Sequence, residues 1–140
     1  MHGYKKILVA LDINSSGNLV LNKALAMASD PSDLNLLYVS FTQLYFEPYG
    51  INFENDELLN IQGQSEARLK EIAVTSGVPE ENTHVSVGAP ADEIHRYAEK
   101  INADLIVIGT HGQSGLKLLL GSTANGVLHG VKCDVLAVKV

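Results

Sequence analysis

Two stretches, Ile7-Leu8-Val9-Ala10-Leu11 and Leu105-Ile106-Val107-Ile108, are apolar at every position. A strand with one wet face alternates polar and apolar residues, so an unbroken apolar run of strand length fits a strand covered on both faces. The first run is therefore expected at the centre of a sheet. The remaining sequence agrees, because strand-like runs alternate with helix-period segments from end to end, the pattern of βαβ units around a mainly parallel sheet. Five strands and four helices are expected. Ser15 or Ser16 can cap the first helix, whose apolar face holds Val20, Ala24, Met27 and Ala28 and which Asp30-Pro31 stops. After the strand Leu34–Val39, a long helix starts near Asn55 with Leu58, Ile61, Leu69, Ile72 and Ala73 on one face and ends at Gly77, with Pro79 just beyond. Thr83–Val87 alternates and reads as an edge strand with one wet face. Pro90 opens a third helix with Ile94, Tyr97, Ala98 and Ile101 in register. Ala124, Val127, Leu128 and Val131 mark a fourth helix, and Val135–Val140 the last strand.

A length of 140 residues suits one domain spanning 1–140. With 46% apolar and 19% charged residues, the chain is expected to form a packed globule. The formal charge of −6 and ten scattered basic residues argue against nucleic acid as a partner, since such binders need clustered Lys and Arg. The apolar run that follows Lys5-Lys6 is too short for a signal sequence or a membrane span, so a cytoplasmic location is expected. Cys133, the single cysteine, is expected to be a buried structural thiol. Residues 40–54 carry Phe41, Tyr45, Phe46, Tyr49 and Phe53 without periodicity, and read as a satellite hydrophobic cluster or as a cover for a site.

The stretch from Gly109 to Thr123 follows a buried strand and runs into a helix. Ligands of open α/β sheets bind beyond the carboxyl ends of the strands, which is where this loop must lie. Glycines at 109, 112, 115 and 121 allow backbone N–H groups to approach an anion, and Gly121-Ser122-Thr123 opens a helix whose free N–H groups favour phosphate. Tight turns and a helix cap would use the same residues. The loop has neither a Gly-Lys-Ser/Thr ending nor a Gly-x-Gly-x-x-Gly after the first strand, so the common NTPase and dehydrogenase fingerprints do not apply. His111 and Lys117 are its chargeable cations. The other histidines, His2, His84, His95 and His129, lack the spacing of a transition-metal site.

Over nearly its whole length the sequence resembles the universal stress protein family. The matching features are Lys6-Ile7-Leu8-Val9-Ala10-Leu11-Asp12, Leu37-Tyr38-Val39, Gly88-Ala89-Pro90, Ala103-Asp104-Leu105-Ile106-Val107-Ile108-Gly109, Gly121-Ser122-Thr123-Ala124 and Cys133-Asp134-Val135-Leu136-Ala137-Val138. The resemblance implies a Rossmann-like α/β fold, a single open five-stranded sheet of order 3-2-1-4-5 with helices on both faces. It also implies ATP binding, with Mg²⁺ carried by the phosphates, through Ala10, Asp12, Val39, Ile108, Gly109, His111, Gly112, Gly121, Ser122 and Thr123. By position Asp12 matches the carboxylate at the ribose or adenine end, and Val39 the residue whose backbone meets the adenine. Eight residues separate Gly112 from Gly121, one fewer than is usual in ATP-binding members.

The leading expectation is a nucleotide-binding, regulatory or protective stress-response protein that forms a homodimer through its apolar last strand. Two alternatives stand beside it: a dimeric module that does not bind ATP, and a slow ATPase or self-phosphorylating protein using Ser114, Ser122 or Thr123. No triad or paired-carboxylate signature supplies a general base for the latter.

Overall fold

The computed structural model describes residues 3–13, 17–40, 55–110 and 122–140, the side chains of 17–18, 55–61 and 122–123 excepted. The elements run β1 (Ile7–Ala10), α1 (Gly17–Met27), β2 (Leu34–Ser40), α2 (Asn55–Ser76), β3 (Thr83–Val87), α3 (Pro90–Ile101), β4 (Leu105–Gly109), α4 (Ser122–Leu128) and β5 (Asp134–Val138). All strand pairs are parallel, and the sheet order is β3-β2-β1-β4-β5. Both the fold class and the order expected from the sequence are those observed.

The unbroken apolar runs have the expected cause. Ile7, Val9, Leu105 and Val107 enter one core with α1 and α2, while Leu8, Ile106 and Ile108 enter another with α3 and α4. Ile7, Leu8, Val9, Ile106 and Val107 are fully buried. The starts of β1 and β4 are tied by Asp104, whose carboxylate accepts from the backbone N–H of Lys5 at 2.9 Å and of Lys6 at 3.0 Å. These charge-assisted bonds hold the pairing of Ile7 with Leu105.

The helix ends follow their sequence signals. Gly77 (φ +82°) closes α2, with Val78 N–H donating to Ala73 C=O and Gly77 N–H to Val74 C=O, the two bonds of a Schellman cap. Asn102 (φ +55°) closes α3 in the same way through Ala103 and Ala98. Asp30 accepts from Ser32 N–H and caps a single 3₁₀ turn, Pro31–Asp33, rather than directly ending α1.

Some details differ from expectation. Met27 and Leu128 are 39% and 46% exposed although they continue apolar stripes. Each is the last residue of its helix. β5 spans Asp134–Val138 and not Val135–Val140. Cys133 is half-buried, and burial, with Asp134 and Asp104 nearby, pushes its thiol pKa up, so it stays protonated. β3 lies at the sheet edge, yet its expected wet face is absent. Ser86 is buried and donates to Glu93, His84 lies against Tyr97, and Val87 is the exposed residue. The polar side of the strand is covered because α3 supplies polar and aromatic partners for it. The Ser15/Ser16 cap, the side chains of Leu58 and Ile61, and the aromatic segment 41–54 lie outside the described residues.

Candidate functional site

Successive crossovers leave α1 and α2 on one face of the sheet and α3 and α4 on the other, so the connections diverge between β1 and β4. A crevice at such a switch point, outside the carboxyl ends of the strands, is where open α/β sheets bind ligands. Three neighbouring strands end there. Val39 precedes the last residue of β2, Ala10 ends β1, and Ile108 and Gly109 end β4.

Side-chain alternation places Ala10, Val39 and Ile108 on the same face. Ile108 is 2% exposed and belongs to the core, while Ala10 and Val39 are half-buried and pack against that core. Together they form an apolar shelf across the three central strands. Ile108 supplies its floor and is not itself an open contact surface. Asp12 follows β1 by two residues and is half-buried.

Two further residues belong to this edge that the sequence reading did not single out. Ser40 is buried at the end of β2, and its carbonyl accepts from Gly88 N–H, tying the turn after β3 to the site edge. Thr110 N–H donates to Val138 C=O at 2.9 Å, and Thr110 Oγ1 accepts from Val140 N–H at 3.3 Å. The entrance to the glycine-rich loop is thereby anchored to the last strand. The signal available for both was their place directly after apolar strand residues.

The backbone of Ser122 and Thr123 opens α4, on the same side of the sheet as the shelf. His111, Gly112 and Gly121 lie outside the described residues, as do the other loop candidates Ser114 and Lys117. Of the expected set, the structure therefore gathers Ala10, Asp12, Val39, Ile108 and Gly109 along one sheet edge, with Ser122 and Thr123 at the opening of the adjoining helix. Among the described residues, no group of three or more His, Cys, Asp and Glu could hold a metal ion. No helix among them is long and apolar enough to cross a membrane.

Residues 3–139 match the model of the universal stress protein family. The chain belongs to that family. Among curated universal stress proteins, homologue 2 of universal stress protein A from Coxiella burnetii is 39% identical over 143 residues, covering 100% of this chain and 98% of the relative. Homologue 1 from the same organism is 37% identical over 145 residues, covering 99% and 97%. In three dimensions this universal stress protein is similar to the hypothetical protein MJ0577, with a TM-score of 0.82 at 27% identity over 99% of this chain and 98% of that one. It is also similar to a universal stress protein solved in complex with cAMP, with a TM-score of 0.59 at 25% identity over 99% and 98%.

Proposed function

We propose that this universal stress protein binds an adenine nucleotide of the ATP class at the carboxyl edge of β2, β1 and β4, and acts in the cytoplasm as a regulatory or protective dimer in the stress response. The observation that carries this reading is the apolar shelf of Ala10, Val39 and Ile108 at the switch point, flanked by Asp12 and by the opening of α4. A flat apolar surface suits a purine ring, and a carboxylate can accept from ribose hydroxyls. Gly109, His111, Gly112, Gly121, Ser122 and Thr123 form the phosphate end in this reading, with backbone N–H groups as the main donors. Mg²⁺ belongs to the nucleotide and is bound mainly through its phosphates. The family member solved with cAMP supports a nucleotide as the ligand class.

Calorimetric titration with ATP, AMP, cAMP and GTP tests the reading. Saturable binding of the adenine nucleotides, with GTP weaker, is expected. A second reading, a dimeric module that binds no nucleotide, is favoured by the short spacing between Gly112 and Gly121. It prevails if none of the four binds at millimolar concentration. A single-turnover assay with labelled ATP separates simple binding from slow hydrolysis or self-phosphorylation.

The dimer is assigned to the outer edge of β5. Among the described residues this strand pairs with β4 alone, so its other edge is open to a second strand. Val135 and Leu136 are half-buried there, and Ala137 is exposed. Apolar open edges invite strand pairing, and a two-fold axis would let two β5 strands satisfy each other. Sedimentation at micromolar concentration is expected to give a dimer, and Ala137→Lys, which sets a charge on the edge, a monomer. A monomeric wild-type protein would remove the assignment.

A further inference from the structure

The edge formed by β3 and α3 carries a second cluster of titratable side chains, apart from the proposed nucleotide site. His84 and Ser86 share the face of β3 that meets α3, while Val85 turns to the α2 side. The His84 ring lies 5.1 Å from the Tyr97 ring, centroid to centroid, at an interplanar angle of 39°. Two cations already sit over Tyr97, with Arg96 Cζ at 4.7 Å and Lys100 Nζ at 5.4 Å from its centroid. Glu93 is the carboxylate of this cluster. It is engaged by Arg96 Nη2 at 2.7 Å and by the Ser86 hydroxyl, and these bonds hold its pKa low. From β2, the register partner of His84 is the apolar Leu37. Among the described residues, His84 Nε2 is the buried side-chain nitrogen or oxygen that has no hydrogen-bond partner.

A neutral imidazole tolerates such a place, and an imidazolium does not. The charged ring must donate from both nitrogens, it would lose water at Nε2 without gaining an acceptor, and it would join two cations already sharing one aromatic ring. We propose that the β3–α3 edge is an acid-operated latch, closed while His84 is neutral and released when His84 takes up a proton. Burial, with the charge of Lys100 beside it, pushes the His84 pKa down in the closed state. The closed state binds fewer protons than the open one, so its stability is complete above the ordinary histidine pKa and is lost as the pH falls through and below it.

The edge is suited to release. β3 is bonded to β2 alone among the described strands, and the turn after it reaches the site edge through Gly88 and Ser40. Opening would therefore be felt at the carboxyl edge of the sheet without global unfolding. The proposal stands whether or not a nucleotide binds there.

Amide hydrogen exchange on the full chain tests it, with rates corrected for the intrinsic effect of pH. An open state in which His84 titrates near its ordinary pKa of about 6.5 gains population up to about tenfold on going from about pH 7.5 to about pH 5.5. The β3 amides should lose protection by up to that factor, and His84→Phe, which keeps a ring but cannot titrate, should abolish the pH-dependent part. The variant comparison cancels the contributions of His2, His95, His111 and His129. Equal losses in both proteins, or none in the wild type, would overturn the latch. If His84→Phe does not fold, the ring-proton NMR titration of the wild type decides instead. Its midpoint should lie below about 6.5 and rise in Lys100→Gln. A midpoint at or above that value, or one unmoved by Lys100→Gln, would overturn the proposal.

Discussion

Gly126→Val is expected to lower the melting temperature by several degrees, up to about 10 °C. A Cβ at position 126 would lie 2.6 Å from the Cβ of Ala91, far inside the roughly 3.5–4.0 Å at which carbon atoms attract. Gly126 in α4 and Ala91 in the first turn of α3 are thus the small residues that let the two helices approach. Valine brings two further methyl groups into that contact, and the helices must part. Overpacking of this kind costs about 1–3 kcal/mol, whereas the better helix propensity of valine returns only a few tenths of about 1 kcal/mol. A net loss of about 0.5–2.5 kcal/mol remains. Gly63 in α2 provides the control, because a Cβ there meets nothing within 4 Å. Gly63→Ala should therefore stabilise the chain by up to about 1 kcal/mol. Thermal unfolding of the two variants checks both signs. A Gly126→Val protein that melts within a degree or two of wild type would show that α3 and α4 do not depend on this contact. Since α4 opens at Ser122, its displacement should also weaken nucleotide binding.

That contact was not legible in the sequence, where Gly126 reads as one more small residue in a short helix. What was legible came from local pattern. The two all-apolar runs announced strands covered on both faces, and β1 and β4 are central with core on either side. Gly77 and Pro90 marked helix ends because their backbone requirements are intrinsic to the residue. Alternation misled at Thr83–Val87, since the period of a strand reports its own polarity but not the polarity of what covers it. Glu93 accepts the Ser86 hydroxyl and Tyr97 meets His84, so the polar face is buried with partners that arrive from another element. Asp104 is a similar case: it precedes an apolar run, and only the parallel pairing of β1 with β4 brings Lys5 and Lys6 N–H to its carboxylate. At the site, parallel strands that end at one edge of the sheet sufficed to bring Ala10, Val39 and Ile108 together. The role of Ile108 as buried floor depended on α3 and α4 packing beneath it.

The proposed nucleotide site makes a prediction with a larger effect, because it separates backbone from side chain. Gly121→Val is expected to abolish detectable ATP binding, for a side chain at the proposed phosphate end blocks the close approach that its backbone N–H groups require. Ser122→Ala removes one hydroxyl and leaves the N–H in place. A hydrogen bond to a charged group contributes about 1.5–3 kcal/mol, so this variant should weaken ATP by roughly tenfold to a hundredfold. Asp12 acts at the other end. It stands two residues beyond β1, beside the apolar shelf, and its proposed partner is the nucleoside. Asp12→Ala should therefore weaken ATP and adenosine by the same factor, whereas Gly121→Val should spare adenosine. Titration of folded variants with both ligands reads the two ends independently. Loss of adenosine binding in Gly121→Val, or an Asp12→Ala effect confined to ATP, would reverse the proposed orientation of the nucleotide. If Ser122→Ala proved as damaging as Gly121→Val, the hydroxyl and not the backbone would hold the phosphates, and the glycines of the loop would serve its turns alone.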